Sequence, residues 1–410
     1  MATIRPFRAL RPVPARAHEV AAVPYDVVTT SEARALASGK PASFLHVSRP
    51  EIDLPEGTDP HSDAVYRKGA ENFERLERDG FLVRESEPSV YLYRLRMGDH
   101  EQTGVAAAYS LDEYDSGAIR RHERTRRDKE DDRTRHMVTL GAQTGPVFLT
   151  YRGRGEIDAL VDAATRGKPL YDFEAEDGVS HTVWRAGSED ARRFVSEFER
   201  VPLLYIADGH HRAASASRAR SELAGKGRGD AADSFLAVAF PAAHLRILPY
   251  NRVVKDLGSR TPAQFLAALR EKLPVSDSAP ASPARRGEVS VYVGGRWHGL
   301  GFDDSGELDV TLLQDRVLDP ILGIHDIRTD PRIDFVGGGR GTAALERAVD
   351  EGRAAAAFSL FPVSIEDLMR IADADGIMPP KSTWFEPKLR DGLLIHEIGV
   401  RPESLNSGQA

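Results

Sequence analysis

The strongest pattern of apolar and polar positions lies between residues 201 and 220. Residues 203–207 form a short, almost fully apolar run of the kind found in buried strands. The alanine-rich residues 213–224 have high helix propensity, and Gly225 then favours a helix end. We therefore predict a strand-to-helix corner, with a polar cluster at residues 208–212 between the two elements.

The polar cluster has the composition of an anion site. Asp208 is a good helix N-cap, and Gly209 lets a ligand approach the backbone closely. His210, His211 and Arg212 then fall in the first helical turn, where unpaired N–H groups and the positive end of the helix dipole point outward. Phosphate is the natural occupant of such a site.

Two alternatives to an anion site are open. Asp–Gly is common in turns, and a histidine at a helix start can be purely structural. Three consecutive basic residues at the positive end of a dipole are, however, a local conflict that usually marks function. A zinc site is the weaker alternative, because adjacent histidines point in different directions and the sequence has no cysteine.

Apolar periodicity elsewhere predicts a mixed α/β fold. The order strand, helix, strand around the corner indicates an α/β arrangement, although it does not fix the strand directions. Predicted helices cover residues 30–37, 63–79, 157–165 and 342–349. Predicted strands cover residues 145–151, 234–240 and 333–336 and both sides of Pro249 within 245–254, and predicted hairpins cover 90–111 and 289–300.

Residues 120–135 form the densest run of charge in the sequence. If the run is helical, steps of three and four residues place one set of basic side chains on a single face. That set is His122, Arg126, Lys129, Arg133 and His136. A solvated helix with ion pairs four residues apart is one explanation. A nucleotide pocket is the other, because it needs cations for the phosphates and carboxylates for a metal or a proton.

The length of 410 residues exceeds that of one ordinary core, so we expect more than one packed unit. Residues 277–287 are rich in Ser, Pro and Ala, as linkers are. We predict a core at 1–275, a linker or long loop at 276–288, and a smaller C-terminal α/β subdomain at 289–410 that contributes to the same cleft. Residues 379–389 are expected to line or close that cleft.

Composition excludes several classes of protein. The formal net charge of −8 argues against a dedicated nucleic-acid or membrane-surface binder. No apolar run approaches the length of a membrane span, and the first residues contain no apolar signal-peptide region, so the cytoplasm is the expected compartment. Without cysteine there is no disulfide, no thiol nucleophile and no thiolate metal site.

Several motifs resemble known families. Residues 207–213, Ala-Asp-Gly-His-His-Arg-Ala, resemble the phosphate-binding corner of the ParB and sulfiredoxin superfamily, and in particular of the free-serine kinases related to ParB. Over nearly its whole length the chain is also similar to a bacterial domain-of-unknown-function family, number one thousand and fifteen. The stretches that carry this second resemblance are residues 6–9, 23–27, 43–47, 121–125, 129–133, 332–338 and 379–389.

The first resemblance implies a mixed sheet with a ParB/sulfiredoxin-like nucleotide-binding core. It also implies a nucleotide-dependent phosphotransferase that acts on a small hydroxyl substrate, with free L-serine as the named candidate. In that resemblance residues 208–212 hold the phosphates of ATP or ADP, and Mg²⁺ is the expected metal. The expected small-molecule partner is L-serine or O-phosphoserine, whereas no nucleic acid or membrane partner is expected and the oligomeric state is open.

Phosphoryl transfer needs cations, usually a metal, and a base or water-positioning group. The further candidates for nucleotide binding are Lys129, Arg133 and Lys381, and Asp208 is the candidate metal ligand. Glu123, flanked by His122, is the first candidate for the base, and Asp26 is the second.

Two other functions are compatible with the same residues. A phosphoserine phosphatase would use the same anion site with water or a nucleoside diphosphate as acceptor, and the two enzyme hypotheses differ in whether turnover requires a nucleotide. A nucleotide-binding switch or partition-like DNA adaptor would need a basic helix-turn-helix unit after the corner, and this acidic sequence shows none.

Overall fold

The protein is described here by a computed structural model, which covers residues 1–224, 230–302 and 306–399. Internal contacts divide the chain into two units. Unit 1 consists of Met1–Leu245 together with the described residues from Pro387 onward, and unit 2 consists of Arg246–Glu386. The chain therefore leaves unit 1 once and returns to it near the end. The expected end of the central helix at Gly225 lies outside the described residues.

Unit 1 is built on a large mixed sheet. Its first twelve strands, numbered in chain order, are β1 Ile4–Arg5, β2 Leu10–Pro12, β3 Leu82–Arg84, β4 Tyr91–Met97, β5 His100–Ser110, β6 Ile119–Arg120, β7 Ala142–Gln143, β8 Val147–Tyr151, β9 Tyr171–Glu174, β10 Val179–Arg185, β11 Leu204–Asp208 and β12 Ser234–Pro241. The main sheet has the order β6-β11-β8-β12-β5-β4-β10-β9, and β1 pairs with β5. The pairs β6–β11 and β8–β12 are parallel, and the other neighbours are antiparallel.

The apolar runs become the central strands of this sheet. Every residue of β12 is buried, because β12 lies between β8 and β5 and has both edges hydrogen-bonded. A strand covered on both faces reads as a continuous apolar run, which is the pattern seen at 234–240. The predicted α/β class with a mixed sheet is thus confirmed.

Helices cover the sheet and form a second apolar cluster near the N-terminus. The helices of unit 1 are α1 Ala17–Val20, α2 Thr30–Ala37, α3 Leu45–Ser48, α4 Asp63–Arg78, α5 Leu111–Asp115, α6 Arg127–Leu140, α7 Gly155–Ala164, α8 Ser188–Phe198 and α9 His210–Leu223. Helix α9 packs on the main cluster through Ala213, Ala216 and Ala219. Small side chains on α9 let its backbone lie close to α6, where Ser215 Oγ donates to the Glu130 carbonyl at 3.2 Å.

Unit 2 has a six-stranded sheet and a separate pair of strands. The strands of unit 2 are β13 Arg246–Leu248, β14 Tyr250–Val254, β15 Val275–Ser276, β16 Glu288–Val293, β17 Arg296–Gly301, β18 Ile333–Gly337, β19 Ala356–Leu360 and β20 Trp384–Glu386. The helices of unit 2 are α10 Pro262–Arg270, α11 Asp309–Leu313, α12 Asp319–Leu322, α13 Ala343–Asp350 and α14 Ile365–Asp373. The sheet order is β15-β17-β16-β19-β14-β18, with β13 and β20 paired separately. By internal contacts unit 2 begins at Arg246, because β13 and β14 pair with other strands of unit 2, and the boundaries at 275 and 289 stay a prediction.

The returning segment is anchored inside unit 1. Strand β21, His396–Glu397, pairs with β7, and the Ile395 N–H donates to the Leu10 carbonyl at 3.0 Å. Just before it, the Gly392 N–H donates to the Thr144 carbonyl at 3.0 Å. These bonds fix the residues around 388–391 next to the central strands. None of the described helices of the protein is long and apolar enough to cross a membrane.

Candidate functional site

The site begins with the backbone of the corner between β11 and α9. Strand β11 ends at Asp208, Gly209 takes φ 96°, and α9 begins at His210. A positive φ favours glycine, and a Cβ at this position would also lie 3.3 Å from Arg212 Cζ. The prediction that Asp208 is the N-cap is wrong: Gly209 occupies that position and no side chain caps the helix. The first N–H groups of α9 are therefore not satisfied by a capping side chain.

Two loops meet at this corner because β6 and β11 run parallel. Leu204 pairs with Ile119 and Tyr205 with Arg120, so the residues after each strand emerge at the same sheet edge. His122 and Glu123 follow β6, and residues 208–212 follow β11. The polar residues of two distant stretches of sequence are brought together in this way.

Arg212 is the central cation of the corner. Its side chain is 5% exposed, and Nη1 donates to the Pro146 carbonyl. Nη2 lies 3.5 Å from Asp26 Oδ2 and 3.7 Å from Asp208 Oδ2. Burial opposes the charge, but Asp26 and Asp208 outweigh it and raise the pKa of the guanidinium above its ordinary value. Nε and Nη2 are buried and make no hydrogen bond within the described residues, so this guanidinium has donors left for an anion.

Asp208 is held by a lysine that sequence reasoning missed. Lys388 Nζ donates to Asp208 Oδ2 at 3.1 Å. Burial disfavours the carboxylate, but Lys388 and Arg212 outweigh burial and hold the pKa of Asp208 well below its ordinary value. Lys388 lies in the 379–389 motif, where the sequence analysis chose Lys381 instead.

Lys381 belongs to unit 2, whereas Lys388 belongs to unit 1. Lys381 has φ 59° and its Nζ lies 5.5 Å from the centre of the Tyr250 ring. Its part in nucleotide binding stays a prediction. Both lysines sit in the same motif, so residue type alone could not distinguish them.

Two histidines pack against each other beside the corner. The rings of His122 and His210 meet edge to face, with centroids 4.4 Å apart, and both are almost fully buried. Burial lowers the pKa of His122 to about 4 and, together with His122, lowers the pKa of His210 well below its ordinary value. Both rings are therefore neutral at physiological pH. His210 Nδ1 lies 3.8 Å from Oε2 of Glu123, whose side chain is 38% exposed.

The prediction of one basic helical face from His122 to His136 is wrong. Helix α6 begins at Arg127, with Arg126 in extended conformation as its N-cap, so His122 lies in the preceding loop. The reason is tertiary contact: the Arg126 N–H donates to His211 Nε2 at 3.0 Å, which ties this loop to α9. Lys129 is exposed in the first turn of α6, and its role in nucleotide binding stays a prediction.

Arg133 reaches the interior from α6. Its Nη2 lies 2.7 Å from Asp132 Oδ2, its Nη1 donates to the Ser48 carbonyl at 3.3 Å, and its guanidinium lies 4.2 Å from the centre of the Tyr25 ring. These contacts fix the side chain beside Tyr25, the residue before Asp26.

A small cavity connects these groups. It measures about 20 Å³, which is room for one water-sized group. Its lining residues are Tyr25, Ser48, Arg133, His136, Met137, Thr144, Gly145, Arg212 and Asp391. Burial raises the pKa of Asp391 to about 7, against the lowering effect of Arg212. Asp391 could not be recognised from the sequence, since a lone Asp–Gly near the end of the chain carries no distinctive pattern.

The geometry therefore gathers most of the predicted residues in unit 1. Asp26, His122, Glu123, residues 208–212 and Arg133 lie around the corner, and Lys388 and Asp391 join them. The site combines a buried Arg with open donors, a helix N-terminus, a paired Lys and several carboxylates. Such a set can hold an anion and present a carboxylate to a neighbouring hydroxyl group.

Comparisons with known proteins place this chain as follows. A search of curated protein sequences found no match. Among solved structures, it is similar to a C-terminally truncated SbnI from Staphylococcus aureus, with TM-score 0.38, 11% identity and coverage of 70% of this chain and 85% of that one. It is also similar to a free serine kinase in complex with AMP, with TM-score 0.37, 15% identity and coverage of 72% and 91%.

A third similar structure is a conserved hypothetical protein from Pyrococcus furiosus, with TM-score 0.36, 14% identity and coverage of 71% and 94%. At these scores the structural alignments add no argument about function. The sequence profile of one family, described as "Protein of unknown function (DUF1015)", matches residues 4–319, which is more than half of the chain. This chain belongs to the DUF1015 family.

Proposed function

We propose that this protein is a nucleotide-dependent phosphotransferase that acts on a small hydroxyl substrate, with free L-serine as the first candidate. The observation that carries the proposal is the buried guanidinium of Arg212 at the start of α9. Two of its nitrogens have no hydrogen-bond partner within the described residues. A buried cation with unused donors, beside the N-terminus of a helix without a capping side chain among the described residues, favours a phosphate ligand.

Each neighbouring group has a role in this proposal. Arg212 and the first N–H groups of α9 bind the phosphates of ATP or ADP. Lys388 and Arg212 balance the charge of Asp208, so that this carboxylate repels an anion less. Arg133 fixes Tyr25 and thereby the position of Asp26.

Glu123 and Asp26 are the two candidates for the base that accepts the proton of the substrate hydroxyl. Glu123 is partly exposed beside a neutral histidine, whereas Asp26 faces the Arg212 guanidinium at 3.5 Å. The Asp26 carboxylate is engaged by this cation, whereas Glu123 is the more open to a substrate, so Glu123 is the first candidate.

Mg²⁺, which the kinase resemblance implies, takes oxygen ligands. Asp26 and Asp208 both carry a carboxylate oxygen near Nη2 of Arg212, so the donor set fits. When bound with the nucleotide, the ion would neutralise charge that develops on the transferred phosphoryl group.

The test is to follow phosphorus NMR of the purified protein with L-serine or O-phosphoserine, with and without ATP, ADP and Mg²⁺. Formation of O-phosphoserine that requires nucleotide is the expected result, and Arg212→Ala should lower its rate about ten- to a hundredfold at sub-saturating nucleotide. Release of phosphate from O-phosphoserine without any nucleotide would replace the kinase by a phosphatase. Nucleotide binding without any turnover would instead indicate a binding switch.

A further inference from the structure

A cluster of three side chains beside the corner has the chemistry of a metal centre. His122, Glu123 and His210 each offer one ligand atom, and these atoms all lie within 4.8 Å of one another. We propose that these three residues bind a divalent first-row transition ion, with Zn²⁺ as the best fit. This proposal does not rest on the proposed function, since ion binding is measured without nucleotide or substrate.

The first observation behind it is the state of His122. The ring is almost fully buried, and its Nδ1 makes no hydrogen bond within the described residues. The backbone of Ile206 lies beside the same ring and favours its protonated form. A carbonyl that accepts from one ring nitrogen leaves the lone pair of the other free for a metal, and metal-bound histidines are commonly oriented in this way.

The second observation is the spacing of His210 and Glu123. Nδ1 of His210 and Oε2 of Glu123 are 3.8 Å apart, which is too long for a hydrogen bond. Around a tetrahedral ion with bonds of about 2.0–2.2 Å, neighbouring ligand atoms are about 3.4 Å apart. The observed spacing suits two ligands of one ion. Without the ion, His210 Nε2 accepts a long hydrogen bond from the His122 N–H at 3.5 Å, so an ion bound at Nδ1 would move the ring proton to Nε2 and replace this contact.

The chemical types of the three ligand atoms agree with this geometry. Two nitrogens and one carboxylate oxygen, with a fourth position open, match the ligand set of zinc sites that keep a position for water or substrate. Mg²⁺ prefers an all-oxygen shell, so the cluster discriminates against it. In the metal-bound protein Glu123 is a ligand, and the base role then falls to Asp26.

The sequence argument against zinc was that the adjacent His210 and His211 point in different directions. That argument does not apply to His122, Glu123 and His210. His122 comes from the loop after β6 and His210 from the start of α9, so their rings can converge. The parallel pairing of β6 with β11 brings the two histidines together, and the local sequence pattern does not reveal this pairing.

The experiment is a titration of chelator-treated full-length protein with Zn²⁺, Co²⁺ and Mg²⁺ by calorimetry, together with the visible absorption of bound Co²⁺. We expect one Zn²⁺ per chain, a Co²⁺ spectrum of low coordination number, and no comparable heat with Mg²⁺. His122→Ala and His210→Ala should each weaken Zn²⁺ binding at least about a hundredfold. His18→Ala, at an exposed histidine, is the matched control and should leave binding unchanged.

Because both histidines are buried, Glu123→Gln is included as a variant at a partly exposed position, and circular dichroism checks that each variant is folded. Glu123→Gln should weaken Zn²⁺ binding about tenfold or more, since an amide is a poorer ligand than a carboxylate. Wild-type protein that binds no Zn²⁺ would overturn the proposal. Unchanged stoichiometry and affinity in the folded variants would also overturn it, because the ion would then be bound elsewhere.

Discussion

At the scale of single residues, Arg212 is the most consequential side chain. We expect Arg212→Ala to weaken nucleotide binding by about ten- to a hundredfold, since the loss of one charge-assisted phosphate contact costs about 1.5–3 kcal/mol. Arg218→Ala is the control, because Arg218 lies on the same helix but pairs with Glu130 at 3.3 Å and with Asp131. Calorimetric titration with ATP and ADP measures both. Equal affinities in the two variants would remove Arg212 from the phosphate site.

His211 is expected to act differently from Arg212. It accepts a hydrogen bond from the Arg126 N–H, so His211→Ala should loosen the loop that carries Glu123. We expect a weaker effect on nucleotide affinity than for Arg212→Ala and a larger effect on turnover. Calorimetry and the phosphorus NMR assay on the same preparation separate the two effects. A loss of affinity as large as that of Arg212→Ala would instead make His211 a direct phosphate ligand.

The base is tested by Glu123→Gln and Asp26→Asn, in protein stripped of transition metal and supplied with Mg²⁺, so that a ligand role of Glu123 does not enter. Each amide keeps the size of its carboxylate but cannot take a proton. The variant of the true base should lose about 10² to 10⁴ in turnover while nucleotide affinity is nearly kept. If Glu123→Gln stays within a few-fold of wild type, the base is Asp26 or another group.

Asp391 gives stability a predictable dependence on pH. Its pKa in the folded protein is raised by burial to about 7 from an ordinary value of 3.8. Between these values the folded state holds a proton that the unfolded state releases, so this group's contribution to stability falls as pH rises from about 4 to about 7. Asp391→Asn should remove that contribution. The difference between the urea midpoints of variant and wild type should therefore grow from pH 5 to pH 8, and a difference independent of pH would contradict the assignment.

At the scale of elements, the turn between β11 and α9 depends on Gly209. Gly209→Ala should destabilise the protein by at least about 1–2 kcal/mol, because φ 96° is costly for a residue with a Cβ and the added atom would press on Arg212. Gly155→Ala, at the start of α7 where a Cβ meets nothing within 4 Å, is the control and should be nearly neutral. Urea denaturation compares the two. Equal midpoints would show that the corner tolerates a side chain.

Elements whose apolar pattern is regular were predictable from the sequence. The hairpin of β4 and β5, the amphipathic helix α4 and the buried strand β12 were all expected and are confirmed. The start of α6 was not predictable, because residues 121–126 have the composition of the helix that follows. Contacts with α9 decide their conformation, and such contacts leave no local signal.

Part of the candidate site could be predicted from the sequence and part could not. The corner at 208–212 was predictable, because basic residues at the start of a helix conflict with the helix dipole. The Asp208 cap was misplaced because Gly209 takes the left-handed conformation directly after the strand. Lys388 and Asp391 were missed because strand pairing and backbone bonds near the end of the chain, rather than periodicity, bring them to the corner.

At the scale of the whole molecule, unit 2 is a continuous segment with its own sheet and its own apolar cluster. We expect an isolated chain of residues 246–386 to fold by itself and unfold cooperatively, because its strands pair with one another. Dispersed amide signals in NMR and a single thermal transition by circular dichroism are the expected results. A disordered spectrum would mean that unit 2 needs the rest of the chain.

The return of the chain to unit 1 sets an order of events during synthesis. Arg212 and Asp208 leave the ribosome before unit 2 is made, whereas Lys388 and Asp391 follow it. At about 5–20 residues per second, the interval is roughly ten to thirty seconds. Throughout that time the corner lacks the lysine that pairs with Asp208. If the corner binds nucleotide as proposed, we expect a product that stops within unit 2 to bind nucleotide more weakly than the full chain.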